Sequence, residues 1–235
     1  MNIKLTSRLE TIASLVTKGS KVADIGTDHG YIPVHLLKNN IVPFAILADI
    51  NKGPLDNGKR FLKWNNLLDK VDFRLGSGID VLNQGEVDEV IIAGMGGILI
   101  SDILENKKEV AHRLKKLILQ PMQAQNKLRM YLLENGYEIM DEVLVREDFR
   151  IYEIIVAKYT GKYSEVENEI YFEVGEKLVQ KRDPLLKDFV DKKLKSYNDV
   201  LDHLENIDSE SIEQKKNETR AKIAKLIEIR KTIEE

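Results

Sequence analysis

The sequence predicts an α/β domain built on a mostly parallel sheet, followed by a second, wholly helical domain. Three observations carry this. Short apolar runs alternate with helical patterns from residue 1 to about 160. Those runs lack polar alternation, as expected of parallel strands covered on both faces. From about residue 163 glycine nearly vanishes, Lys and Glu dominate and strand signals stop. The predicted domains are therefore 1–160 and 161–235.

The elements follow in order. Ile3, Leu5, Leu9, Ile12 and Val16 lie along one helix face, with Arg8 and Glu10 interrupting any apolar run, which argues against a signal peptide. KVADI at 21–25 is the first strand and 31–39 a short helix. PFAILAD at 43–49 is the second strand. A helix over 54–67 follows, with Pro54 suited to the first helical position. Strands are predicted at 71–75, at 89–93 leading into the turn Gly94-Met95-Gly96-Gly97, and at 116–119 ending at Gln120-Pro121. A helix over 123–135 stops at Asn135-Gly136. Strands at about 138–146 and 149–158, turned near Asp148, form a closing hairpin that places one antiparallel strand in the sheet. Beyond it, Phe189, Val190, Leu194, Tyr197, Leu201 and Leu204 step by three and four, and Ile212, Ile223, Leu226, Ile227 and Ile233 do so less regularly. The polar break at 206–211, with Ser209 or Ser211 as a cap, makes these two helices an antiparallel, coiled-coil pair.

Composition narrows the function. The 235 residues include 36 Lys+Arg against 39 Asp+Glu, a net charge of -3, so bulk electrostatics give no push toward nucleic acid. There is no cysteine, which excludes disulfides, thiolate catalysis and cysteine-based zinc sites. The histidines His29, His35, His112 and His203 show no ligand spacing beyond His29 and His35, which lie six apart and should not share a helix face, so no metal is expected. No stretch approaches the ~20 apolar residues of a membrane span. A soluble cytoplasmic protein, a monomer or weak dimer, is expected.

The first strand ends in D-x-G-x-D-x-G, Asp24 to Gly30, not in the G-x-G-x-x-G of a dinucleotide loop. Gly26 and Gly30 let backbone approach a ligand, but carboxylates at this helix start would repel a pyrophosphate. Asp24 and Asp28 suit a ligand with positive charge, such as S-adenosylmethionine, which carries an ammonium and a sulfonium and no phosphate. Asp49, ending the second strand, stands where an acidic residue binds ribose hydroxyls in nucleotide-binding sheets. GSGID at 76–80 follows the third strand, and AGMGG at 93–97 leaves room at the mouth of the fourth.

RLETIA at 8–13, VADIGTDHG at 22–30, IAGMGG at 92–97, LQPM at 119–122 and YEII at 152–155 together resemble the bacterial tRNA (adenine-22)-N1-methyltransferase family, the TrmK type. The resemblance implies a Rossmann-like methyltransferase sheet followed by a helical coiled-coil domain. It also implies methyl transfer from S-adenosylmethionine to N1 of the adenine at tRNA position 22. Arg8, Asp24, Gly26, Thr27, Asp28, Gly30, Asp49, Ile50, Gly78, Ile79, Ala93 and Gly94 would then hold the cofactor. Met95, Gly96, Gly97, Gln120, Pro121 and Tyr152 would shape the target-base pocket, with Asp28, His29 and Met95 nearest the chemistry. Met122 departs from the family pattern, where Asn is expected. Lys177, Lys181, Arg182, Lys192, Lys193 and Lys195 are the expected tRNA-facing cations. The alternatives left open are a methyltransferase acting on a small molecule or protein, and a non-catalytic cofactor-binding scaffold.

Overall fold

The structure, a computed structural model, describes residues 4–27, 29–163, 168–205, 207 and 209–234. It divides into two compact units, Met1–Glu165 and Val166–Glu235.

The first unit is a seven-stranded sheet. Its strands are β1 (Val22–Ile25), β2 (Ala45–Asp49), β3 (Val71–Leu75), β4 (Glu89–Gly96), β5 (Lys116–Gln123), β6 (Tyr137–Glu147) and β7 (Arg150–Tyr159), in the order β3-β2-β1-β4-β5-β7-β6. The first five run parallel, and β7 is antiparallel to both β5 and β6. All four residues of β1 are buried, as are the first four of β2. Their unbroken apolar runs fit a sheet with helices on both faces.

One face carries α1 (Ser7–Ser14), α2 (Tyr31–Lys38) and α3 (Lys52–Trp64), packed through Ile12, Val34, Leu37, Leu55 and Leu62. The other carries α4 (Gly97–Asn106), the short α5 (Lys108–Ala111) and α6 (Gln125–Glu134), packed through Ile100, Leu104, Val110, Leu128 and Leu132. The sequence reading had no helix over 97–111. Its apolar positions are visible, but the glycine cluster before it reads as a loop. In fact β4 continues through that cluster, with Met95 opposite Pro121 and register shifts on either side of Met95. Pro54 is the third residue of α3, not its first, and Asn51 stands at the N-cap.

The second unit holds α7 (Ile170–Val174), α8 (Glu176–Gln180), α9 (Leu186–Leu204) and α10 (Glu210–Glu234). The last two run antiparallel: Asp191 near the start of α9 pairs with Arg230 near the end of α10, and Lys222 lies over the Tyr197 ring. The short α7 and α8 have too few turns to show a periodic signal. Among the expected cations, Lys181, Arg182, Lys192 and Lys195 are exposed and Lys177 is half-buried. Lys193 instead turns inward, 3.7 Å from Glu173 and 5.0 Å over the Phe189 ring. No helix among the described residues is long and apolar enough to cross a membrane.

Candidate active site

In a parallel sheet the strand ends gather on one edge, and ligands sit beyond them. Register places Ile25 beside Ala48 and Ile92, Asp49 beside Leu75, and Ala93 beside Gln120. The edge therefore brings together the loops after β1, β2 and β4 with the end of β5.

The loop after β1 is acidic and tightly tied. The N–H groups of Gly26 and Thr27 donate to the Ala48 carbonyl at 2.8 and 3.2 Å, so they are spent on β2, not offered to a ligand. Gly26 has φ +74, and a Cβ there would lie 2.1 Å from the Met95 Cε. Met95 thus reaches across from β4 to floor this loop. Gly30 has φ +70 and caps α2; a Cβ would come 3.0 Å from Leu47 and 3.5 Å from the Gly58 backbone. Close packing of α3 accounts for Gly30 as fully as ligand approach would. The His29 ring stacks on Tyr31 at 5.5 Å, and Tyr31 meets Phe61 edge-on, which ties the loop to α3. Asp28 lies outside the described residues.

Asp24 is the electrostatic centre. It is 7% exposed and has no cation partner among the described residues. Burial pushes its carboxyl up to about 6, the neighbouring Thr27 hydroxyl offsets part of this, and the Asp49 carboxylate pushes the same way as burial. The Thr27 hydroxyl is itself buried, and Asp24 is the one group it acts on among the described residues. A buried carboxylate with one hydroxyl beside it and no cation among the described residues fits a ligand ammonium and does not fit a phosphate.

The shift carries a stability cost with a definite sign. A folded carboxyl raised from 3.8 to about 6 stabilises the fold at low pH, and that contribution disappears as pH rises through about 6. Its size is on the order of 3 kcal/mol. Asp24→Asn is therefore expected to raise the melting temperature of the cofactor-free protein at pH 7.5 and to leave it nearly unchanged at pH 4. Equal melting at pH 7.5 would show that the carboxylate is not strained by burial.

Asp49 ends β2 half-buried. One carboxylate oxygen accepts from the Asn51 N–H at 2.7 Å, and its carbonyl accepts from Gly76 at 3.0 Å. The second oxygen has no partner among the described residues. Ile50, next in the chain, is 67% exposed and offers an apolar face at the same edge. Gly78 lies against Ile103 of α4. Ile79 does not present its side chain to the edge at all; it is fully buried in the core.

On the other side of β4 the glycines divide. Gly97 is a packing glycine: a Cβ would lie 2.3 Å from the Ala124 carbonyl oxygen. Gly96 faces Gln123. Gly94 is exposed, has φ +78 and has open space around it. Its N–H donates to Gln120 Oε1 at 3.2 Å, and Arg8 Nη1 donates to the same oxygen at 2.7 Å. Gln120 is fully buried, so these two donors set which way its amide points. Its nitrogen donates to the Pro121 carbonyl. Arg8 lies 5.4 Å over the Tyr152 ring, and its N–H donates to Glu147 at 3.0 Å. Burial alone would raise the Glu147 carboxyl; the Thr6 hydroxyl, the Arg8 N–H and the Arg8 charge outweigh it and hold it low.

Arg8, Gln120, Tyr152 and Gly94 thus meet around one network. Glu147, which completes it, was missed in the sequence reading. It is 139 residues from Arg8 in the chain, and no local pattern marks it.

A Rossmann-like sheet of this order, with an acidic loop after β1 and an acidic residue ending β2, defines a methyltransferase. A methyltransferase-domain family model matches residues 5–155. A Bacillus subtilis tRNA (adenine(22)-N(1))-methyltransferase is 38% identical over 156 residues, 66% of this chain and 66% of that protein. The crystal structure of B. subtilis TrmK superimposes with a TM-score of 0.88 at 31% identity, covering 97% of this chain and 100% of that one. A Streptococcus pneumoniae protein crystallised with S-adenosyl-L-methionine gives 0.85 at 26% identity, covering 97% of this chain and 100% of that one. The chain belongs to the TrmK family of bacterial tRNA (adenine-22)-N1-methyltransferases.

Proposed function

We propose that this chain methylates N1 of the adenine at position 22 of tRNA, using S-adenosylmethionine, in the cytoplasm. The observation that carries the cofactor side is the buried Asp24, with no cation partner among the described residues, beside Asp49 on neighbouring strands. Asp24 and the Thr27 hydroxyl take the ammonium end, Asp49 the ribose, and Ile50 the adenine. When bound, S-adenosylmethionine supplies an electrophilic methyl on a sulfonium.

Neutral adenine N1 carries a lone pair and needs no deprotonation. The chain therefore has to align the base and exclude water. It must also free the Watson–Crick edge, which extruding the base accomplishes. Gly94 leaves room for a flat ring, and the fully buried Gln120, held by Arg8, accepts from the Gly94 N–H and so fixes the backbone that borders that room. Asp28 and His29 are the residues assigned to the positive charge that builds on the methylated ring, and Met95 to the floor of the site. Exposed cations of the helical unit, Lys192 and Lys195 among them, supply the phosphate-reading surface, so tRNA affinity should fall with added salt. The protein acts as a monomer or weak dimer.

The test is methyl transfer from labelled S-adenosylmethionine to two transcripts that differ only in adenine or guanine at position 22. Label on the adenine transcript alone is expected. Label on both would keep the activity and discard the position. Label on neither, with cofactor binding intact, would favour a small-molecule or protein substrate, or a non-catalytic scaffold. Double charge reversal at Lys192 and Lys195 should raise KM for tRNA and leave cofactor affinity alone; an unchanged KM would remove these two lysines from the surface.

A further inference from the structure

The β6–β7 hairpin faces two ways. On its inner side Glu147 and Tyr152 hold Arg8 in the pocket. At its tip Asp148 turns the chain with φ 53, and the next residue, Phe149, is 75% exposed. The Arg150 guanidinium lies 5.3 Å over that ring and has no ion-pair partner among the described residues. Two further connections on the same sheet edge also show apolar side chains to solvent: Ile98 at the start of α4, 58% exposed, and Met122 at the end of β5, 40% exposed. The tip therefore stands at the same sheet edge as Gly94 and Gln120.

Phe149 leaves most of its side chain open to solvent. An exposed aromatic joined to an unneutralised guanidinium is the chemistry that stacks on a nucleobase and grips a phosphate. A site that extrudes its target base also strips one stacking face from the neighbouring base. We propose that Phe149 takes that bare face, on the unpaired base flanking the target adenine, while Arg150 takes the adjoining phosphate. This rests on the tRNA reading above and goes beyond it by naming the element that takes the base flanking the target.

The test uses the full chain with Phe149→Ala, Phe149→Trp and Arg150→Ala, assayed for methylation of the adenine-22 transcript. Cofactor affinity, melting temperature and elution volume are followed in parallel. Phe149→Ala is expected to raise KM for tRNA roughly 5- to 100-fold, the range of one lost base–aromatic stack, with cofactor affinity and melting unchanged. Phe149→Trp should restore KM. Arg150→Ala should raise KM and flatten its salt dependence by about one phosphate contact. A Phe149→Ala enzyme with KM within about twofold of the unaltered protein would overturn the inference. So would a change in oligomeric state with KM preserved, which would make the tip a self-association surface. Absence of methylation by the unaltered protein would sink the tRNA reading itself, and this inference with it.

Discussion

Asp49→Ala is expected to weaken S-adenosylmethionine binding by roughly 10- to 100-fold, measured by calorimetry. The carboxylate has one oxygen committed to the Asn51 N–H at 2.7 Å and one without a partner among the described residues. A hydrogen bond from a ribose hydroxyl to a charged acceptor contributes about 1.5–3 kcal/mol, and each 1.4 kcal/mol or so is tenfold in affinity. The variant also loses the acceptor that shapes the start of α3, so Asp49→Asn is the necessary companion. It keeps an acceptor for Asn51 and should recover most of the melting temperature but only part of the affinity. Removing the Asp49 charge has a second effect. It relieves the repulsion on Asp24, whose carboxyl should then titrate lower than about 6. Normal cofactor affinity in Asp49→Ala would take this residue out of the site.

The largest effect on stability is expected at Arg129. This arginine of α6 is 1% exposed and pairs with Glu142 of β6 and Glu153 of β7, each at 2.6 Å. It fastens α6 to the hairpin that carries Glu147, Phe149 and Tyr152. Arg129→Ala leaves two carboxylates buried without their counter-charge, a change that costs about 3–5 kcal/mol. The melting temperature should fall by roughly 10 °C, and the Arg8–Gln120 network should loosen because α6 begins just beyond Gln120–Gln123. Replacing all three residues with apolar side chains of similar volume should recover much of the loss, since the pair's own desolvation is then avoided. If Arg129→Ala melts within a couple of degrees of the unaltered protein, the buried triad does not hold the hairpin.

Both variants bear on how much a sequence can show. The parallel strands were legible because burial on two faces demands unbroken apolar runs, as in VADI and AILAD. The acidic loop and Asp49 were legible because strand ends carry local signals and the chemistry of a carboxylate does not depend on context. Between Gly94 and Gly97 the residue type was visible but its reason was not. Only the structure separates Gly97, pressed against the Ala124 carbonyl, from Gly94, which stands open.

Composition and local pattern by themselves determined the α/β sheet, the helical C-terminal region, the acidic loop after β1 and the TrmK resemblance. Tertiary structure alone decided that the Gly26 and Thr27 N–H groups are spent on β2, that Ile79 is core, and that Glu147 sets Arg8 and hence Gln120. It also brought Arg129 between two carboxylates. The physical reason is range. Strand and helix propensities act over a few residues, so they are written in the local order of the chain. Hydrogen bonds and buried charges act between whatever the fold brings within about 3 Å, and those partners are set by the sheet order.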